Sequence, residues 1–440
     1  MLSKLPVTHP VAGPARISST RFPWAVFIFL LAVFAFCSWD FTPSDNGYDA
    51  ANADELSETA QTGSIGRQVA LTCLGLYALY TARSPASRKI RSNGLIGATF
   101  LTYIAWACAS LVWTADVDLT GKAAARLLLM FLGAIAIARK LTIRQIAQIT
   151  LGISLVTLLV GVCDEVALGT FDPASPEWRL SGMMHPVSQG WNCGLLCLSA
   201  LYLSKVHPLS HRHIYRIAMI IGLVCLVLTK SRMALASTVI CMAIVYVRDL
   251  NPMQRVASAA GSGVVACIAA LAMSDSAKHY AAFGREGATE ASFGTLTGRI
   301  PLWEECLRYA SKRPLCGYGY NTFLSPSNLL NMSGASGWMS SPHSGYVGTL
   351  FELGAIGLLL LIATLLLAIG LSWARVSEDR EQLFVGCVLI WITLNLILES
   401  FLITSSFFAT FLTFTLLARL GLTRPYMDCD GFSIATVRVI

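Results

Sequence analysis

The sequence TLFELGAIGLLLLIATLLLAIGLSW, at residues 349–373, contains one charged residue and is long enough to cross a lipid bilayer as a single helix. The hydrocarbon core of a bilayer takes about 20 helical residues, and a helix satisfies its own backbone where water is absent. Similar apolar blocks recur along the chain, which is 55% hydrophobic and 13% charged. Because soluble cores could not bury so much apolar surface, the composition predicts a polytopic membrane protein.

The apolar blocks predict an all-α fold with about twelve transmembrane helices. Basic residues collect in alternate connections, and the positive-inside rule assigns those connections and both termini to the cytoplasm. The predicted spans are 24–39, 67–81, 94–112, 123–138, 146–163, 188–204, 216–228, 233–246, 256–273, 346–372, 383–401 and 407–420. The chain then divides into a cytoplasmic N-terminal segment (1–23), nine spans (24–273), a large periplasmic loop (274–345), three spans (346–420) and a cytoplasmic tail (421–440).

Charge and cysteine usage exclude several function classes. The formal net charge is +7, but the basic residues lie between apolar blocks rather than on one face, so we expect no nucleic-acid partner. The cysteines show no spacing suited to zinc. The sequence also lacks a phosphate-binding glycine loop, an HExxH motif and a nucleophile elbow. We therefore expect neither a metal nor a soluble cofactor.

Two arginines are candidates for binding an anion at the predicted outer face. Arg232 lies in a very short turn between two spans, and Arg299 opens an amphipathic helix predicted over residues 298–313 of the large loop. A guanidinium stays charged at any relevant pH and engages two phosphate oxygens at once, so both could hold a lipid-linked diphosphate. Alternatively, Arg232 could reach lipid headgroups, and the helix could simply lie on the membrane surface.

His343 is a candidate base because imidazole titrates near neutrality and can take a proton from a sugar hydroxyl. It precedes the span that begins near residue 346. Arg179 and His185, in the other outer loop (164–187), could contact an anionic or hydroxylated sugar. Isolated histidines more often have structural or surface roles, and the 164–187 loop could simply be tied to the membrane surface.

Three segments, in this order, resemble the family of O-antigen ligases and bacterial polysaccharide polymerases. The order of the segments and their placement relative to the spans are more specific than any one of them. The segments are LTKSR at 228–232; TGR at 297–299 with Leu302, Trp303 and RPLCGYGY at 313–320; and HSGY at 343–346 with ELGAIG at 352–357. The family motif usually has asparagine after the histidine, where this sequence has Ser344.

The resemblance implies a GT-C-like membrane glycosyltransferase facing the periplasm from the bacterial inner membrane. Its donor would be an undecaprenyl-diphosphate-linked oligosaccharide, with no metal or cofactor. Arg232 and Arg299 would hold the diphosphate, and His343 would activate the acceptor. The predicted substrate-binding residues are Arg179, His185, Lys230, Trp303 and Tyr318. Membrane lipid, a flippase and a chain-length regulator are the implied partners.

Polymerase and ligase share this chemistry and differ in the acceptor, which is a second lipid-linked repeat unit or the lipid A core. The stretch RPLCGYGYNTF at 313–323 resembles exopolysaccharide polymerases and favours polymerase, with ligase as the alternative. A flippase or transporter would also need many spans. Transporters, however, place polar sites near the bilayer midplane, whereas the ionisable residues here collect outside the spans.

Overall fold

The computed structural model describes residues 22–39, 64–83, 88–92, 94–175, 178–250, 253–254, 299–326, 328, 341–377, 379–404 and 407–425. Five regions of the prediction lie outside these residues: the ninth span (256–273), residues 274–298 and 329–340 of the large loop, and the two chain ends (1–21 and 426–440).

The described chain is nearly all helix. The helices are α1 (Trp24–Ser38), α2 (Ile65–Ala82), α3 (Gly94–Ala109), α4 (Val117–Lys140), α5 (Ile143–Leu168), α6 (Pro186–Val206), α7 (Leu209–Leu228), α8 (Arg232–Asp249), α9 (Arg299–Ala310), α10 (Gly345–Arg375), α11 (Glu381–Asn395), α12 (Phe401–Thr404) and α13 (Phe408–Gly421). A 3-10 turn, Ser110–Val112, extends α3, and two short antiparallel strands, β1 (Arg88–Ile90) and β2 (Thr423–Pro425), join the chain's early and late parts.

Length and composition mark this as an all-α membrane protein. Five of the described helical stretches are long and apolar enough to cross a bilayer, and α1, α11 and α13 are shorter apolar helices. The five are Gly94–Val112, Val117–Lys140, Ile143–Leu168, Ser210–Leu228 and Gly345–Arg375. Their exposed apolar faces are what a helix in lipid requires, because hydrocarbon solvates them without penalty.

Close contacts between helices hold α6, α8 and α11 together. A Cβ added at Gly194 of α6 would lie 2.9 Å from the Trp391 ring of α11. The Trp391 indole donates to Thr238 Oγ1 of α8 at 3.0 Å, and Asn395 Nδ2 donates to Ser237 Oγ at 2.7 Å. Small residues and interhelical hydrogen bonds of this kind are the usual basis of helix packing in membranes, where apolar burial gives little driving force.

The helix ends differ from the predicted spans by five to seven residues in four places, one of which is the start of α4 at Val117, six residues before the predicted start at 123. α5 continues to Leu168, where Gly169 adopts the left-handed conformation that ends it, so Asp164 and Glu165 are helical rather than loop residues. α7 starts at Leu209, seven residues before the predicted start at 216, which places Arg212 within the helix. α11 ends at Asn395, six residues before the predicted end at 401. Hydropathy misplaced these ends because it tracks apolar content and not the capping and turn geometry that ends a helix.

Helix α10 is interrupted where two of the motif segments meet. Gly354 has φ +68° and ψ −170°, a combination open essentially to glycine alone. The interruption frees backbone groups that pair with the segment 314–319: Ala355 N donates to Pro314 O at 2.8 Å, and Gly319 N donates to Glu352 O at 2.8 Å. The ELGAIG and RPLCGYGY stretches therefore form one interlocked unit that fixes the large loop to the bundle.

Candidate active site

The predicted site residues lie at one end of the bundle, here called the site end. Helices α6, α8 and α10 begin at this end, and α5, α7 and α11 finish there. The connections between these helices carry Arg179, His185, Lys230 and His343, and the amphipathic helix α9 lies over them. Burial of Leu302, Cys306, Tyr309 and Ala310 confirms the predicted amphipathic character of α9.

Arg299 forms an ion pair with Glu399, which follows the end of α11. Arg299 Nη2 lies 3.3 Å from Glu399 Oε1, and Arg299 Nη1 donates to Leu398 O at 2.6 Å. Burial raises the pKa of the Glu399 carboxyl to about 7, although the positive charges of Arg299 and Arg179 act to lower it. A carboxylate in this setting changes its charge near neutral pH, so a second anion at Arg299 would favour protonation of Glu399.

His343 lies beside Arg299 in a strained turn. Its φ is +48°, a conformation that a residue with a side chain adopts at a cost and that clusters at functional sites. Burial, then the positive charges of Arg299 and His185, lower the pKa of His343 to about 4. The imidazole is therefore neutral at physiological pH and can accept a proton.

Neighbouring residues fix the turn that carries His343. Trp303 Nε1 donates to Pro342 O at 2.9 Å, which ties α9 to this turn. Ser344 caps α10 by accepting from Val347 N at 3.4 Å. Gly345 N donates to both Leu396 O at 2.8 Å and Glu399 O at 2.9 Å. These bonds hold the turn with His343 against the segment that contains Glu399.

The 179–185 loop packs on the turn between α7 and α8. Arg179 Nε donates to Thr229 O at 3.1 Å, and Leu180 N donates to Leu228 O at 3.0 Å. In the turn, Lys230 has φ +52° and Arg232 is exposed at the start of α8. Gly190 of α6 allows this approach, because a Cβ there would lie 2.6 Å from Ser231 Cβ. Arg179 and the LTKSR segment thus belong to one assembly.

Glu165, at the end of α5, holds the same loop in place through hydrogen bonds. Its Oε1 accepts from Ser181 N at 2.8 Å, Ser181 Oγ at 3.0 Å and Gly182 N at 2.7 Å. Glu165 is buried at the end of α5. Hydrogen bonds to a carboxylate are roughly twice as strong as those between neutral groups, so this contact orders the loop that carries Arg179.

Three of the predicted substrate-binding residues make contacts within the protein. Tyr318 stacks on Phe351 with ring centroids 5.0 Å apart, and its hydroxyl donates to Tyr309 O at 3.1 Å. The indole nitrogen of Trp303 is engaged with the turn before His343. His185 caps α6 by accepting from Val187 N at 3.2 Å. Their roles in binding substrate stay predictions.

Glu399 and Glu165 were not among the residues selected from the sequence. Both lie at the end of long apolar stretches, where a carboxylate is costly and is therefore a candidate for a functional site. That cost was the available signal, but it does not identify a partner. Arg299 is 100 positions from Glu399 along the chain, and only the fold brings them together.

Comparison with known proteins adds an independent observation. Residues 217–362 match the family model described as O-antigen ligase, a segment that contains Arg232, Arg299 and His343. This segment belongs to the O-antigen ligase family. A curated O-antigen ligase of Pseudomonas aeruginosa is 33% identical over 98 residues, which is 22% of this chain and 22% of that protein. The O-antigen ligase segment runs from α7 into α10, so the family match covers the interlocked loop and the turn with His343.

Proposed function

We propose that this protein is a glycosyltransferase of the bacterial inner membrane that takes a glycan from an undecaprenyl-diphosphate carrier at the periplasmic face. The observation that carries the proposal is that Arg299 and Gly345, which is two residues after His343, both bond to residues 396–399, so that two residues of the O-antigen ligase segment come together at the site end. Arg299 carries a guanidinium suited to a diphosphate, Arg232 begins α8, and Lys230 lies in the turn before α8.

Donor binding would prepare His343 to act. Burial, and then the positive charge of Arg299, lower the pKa of His343 in the free protein; a bound diphosphate would offset the charge of Arg299 and so raise this pKa. The imidazole then takes the proton of the acceptor hydroxyl as the acceptor oxygen attacks the anomeric carbon. The bond from that carbon to the phosphate oxygen breaks, and the diphosphate leaves with its negative charge balanced by the arginines. One displacement inverts the anomeric carbon.

Two acceptors fit this chemistry. Both comparisons carry the name O-antigen ligase, which supports transfer to a lipid A core at least as well as polymerisation. The RPLCGYGYNTF stretch supports the polymerase, in which a second lipid-linked repeat unit is the acceptor. In either case, a flippase that delivers the donor is a functional partner. A chain-length regulator is a partner in the polymerase case.

Deleting the gene and analysing the glycans tests the proposal and separates the acceptors. Single repeat units that remain on carrier or core would identify a polymerase. Long polymer accumulating on the carrier, with none on lipid A core, would identify a ligase. Unchanged surface and lipid-linked glycans in the deletion strain would contradict both.

A further inference from the structure

A second concave site lies at the opposite end of the helices that begin at the site end. It is an open cavity of about 690 Å³ between the ends of α6, α8 and α10 and the starts of α7 and α11. Helix α6 has 21 residues and so separates this cavity from His185 by roughly 30 Å. The cavity is therefore distinct from the candidate active site.

Five cations from several elements line this basic cavity. They are Lys205, Arg212, Arg216, Arg248 and Arg380, and none of the described lining side chains is acidic. Ser204 and Ser377 add hydroxyls, while Leu201 and Met219 are among its apolar lining residues. Arg248 lies with Cζ 5.5 Å from the centre of the Trp373 ring, which holds its guanidinium at the cavity wall.

Topology alone explains why basic residues lie at this end, but not why five of them surround one cavity. Arginines at this end also support the backbone, inside and outside the cavity: Arg212 Nε donates to His207 O at 3.3 Å, and Arg419 Nη1 donates to Ala138 O at 2.9 Å. Like charges gathered around open space repel one another, so an anion that bridges them would relieve the repulsion. Phosphate is the anion whose several oxygens engage multiple arginines.

The outer face of α7 indicates where such a phosphate would come from. Arg216, Ile220 and Val224 follow at four-residue steps and share one face of the helix. Ile220 is 57% exposed and Val224 is 55% exposed, so an exposed apolar track runs along the outer face of α7, from the basic cavity toward the level of the membrane's middle. A lipid could place its headgroup among the arginines and its acyl chains along this track.

We propose that the basic cavity binds the phosphate headgroup of an anionic membrane lipid. The proposal concerns a site that the glycan-transfer reaction does not use, and it stands or falls independently of that reaction.

The test compares three triple variants of the full chain reconstituted in vesicles of equal phosphatidylglycerol and phosphatidylcholine. Arg212→Gln/Arg216→Gln/Arg248→Gln removes three cavity charges, and the corresponding Lys triple keeps the charge count that directs insertion. Arg83→Gln/Arg91→Gln/Arg375→Gln removes three exposed charges outside the cavity lining. Native mass spectrometry after gentle detergent release counts the phosphatidylglycerol molecules retained by each variant.

We expect the Gln triple to retain about tenfold less phosphatidylglycerol than wild type, because each cation near an anionic lipid adds to its affinity. The Lys triple should retain a substantial part of the phosphatidylglycerol that wild type retains, and the control triple should retain as much as wild type. If the Gln and control triples retain equal amounts of phosphatidylglycerol, the proposal that the basic cavity binds the lipid is overturned. The melting temperatures of wild type and of the Gln triple are also measured with inorganic phosphate and with short-chain phosphatidylglycerol. If the two ligands raise the melting temperature of wild type equally and leave that of the Gln triple unchanged, the cavity binds free phosphate, and the proposal of a lipid headgroup is overturned.

Discussion

Arg299 and Glu399 form an ion pair with 3.3 Å between Nη2 and Oε1, and this pair lies where a lipid-linked diphosphate would have to bind under the proposed mechanism. The guanidinium cannot serve both anions with all of its donors. Because burial holds the pKa of Glu399 at about 7, protonation of Glu399 near neutral pH can release Arg299 for the donor. The ion pair therefore makes donor binding sensitive to pH.

Diphosphate binding should tighten as the pH falls from 8 to 6. Glu399 is mostly charged at pH 8, where it occupies Arg299 and repels the ligand, and it is mostly protonated at pH 6. Uptake of one proton with a pKa near 7 corresponds to about a tenfold change in Kd over this range. Titration of the purified protein with farnesyl diphosphate at each pH measures this change in Kd.

Glu399→Gln should bind at pH 8 about as tightly as wild type does at pH 6. Glu305→Gln is the matched control, because Glu305 lies on α9 but pairs with Arg308. Titration of the ligand's own phosphates affects all three proteins alike. A pH dependence in Glu399→Gln equal to that of wild type would show that Glu399 is not the group responsible.

Gly354→Ala should destabilise the protein by about 2 kcal/mol or more, because its φ of +68° is strained for alanine. The added Cβ would also collide with the carbonyl oxygen of Leu315 and open the interlocked loop. Gly370→Ala in the same helix is the control, since a Cβ there meets nothing within 4 Å. Melting temperatures in detergent compare the two, and similar values for both variants would refute the role assigned to the interruption.

Glu165→Ala should cost about 2–3 kcal/mol and weaken substrate binding through the loop that carries Arg179. Removing the carboxylate leaves the backbone donors of Ser181 and Gly182 buried without their acceptor. Asp164→Ala provides the control, because the neighbouring Asp164 is less buried. Thermal unfolding of the two variants side by side measures the difference, and an equal loss in both would contradict the anchoring role.

Apolar patterning was sufficient to predict most of the described helices. The predicted spans at 24–39, 94–112 and 346–372 lie within a few residues of α1, of α3 with its 3-10 turn, and of α10. Each of these segments is apolar over nearly its whole length, so local composition alone decides its structure. Where polar residues occupy the first turns, as at the start of α7, hydropathy places the helix start too late.

The candidate site was only partly predictable because its pairings are non-local. Arg299 and His343 were identifiable as polar groups beside spans, but the Glu399 carboxylate lay inside a block predicted to be a span up to residue 401. The end of α11 at Asn395 exposes that error. The close approach of Gly354 to Leu315 joins segments that are separate in sequence, and no local pattern specifies it.

The most direct test of glycan transfer is turnover by the purified, reconstituted protein with a lipid-diphosphate-linked oligosaccharide and its acceptor. Arg299→Ala should lower kcat by about 10²–10³, and His343→Ala by about 10²–10⁴. Arg308→Ala removes an exposed arginine of α9 and should leave kcat unchanged. Wild-type turnover retained by both Arg299→Ala and His343→Ala would contradict the account.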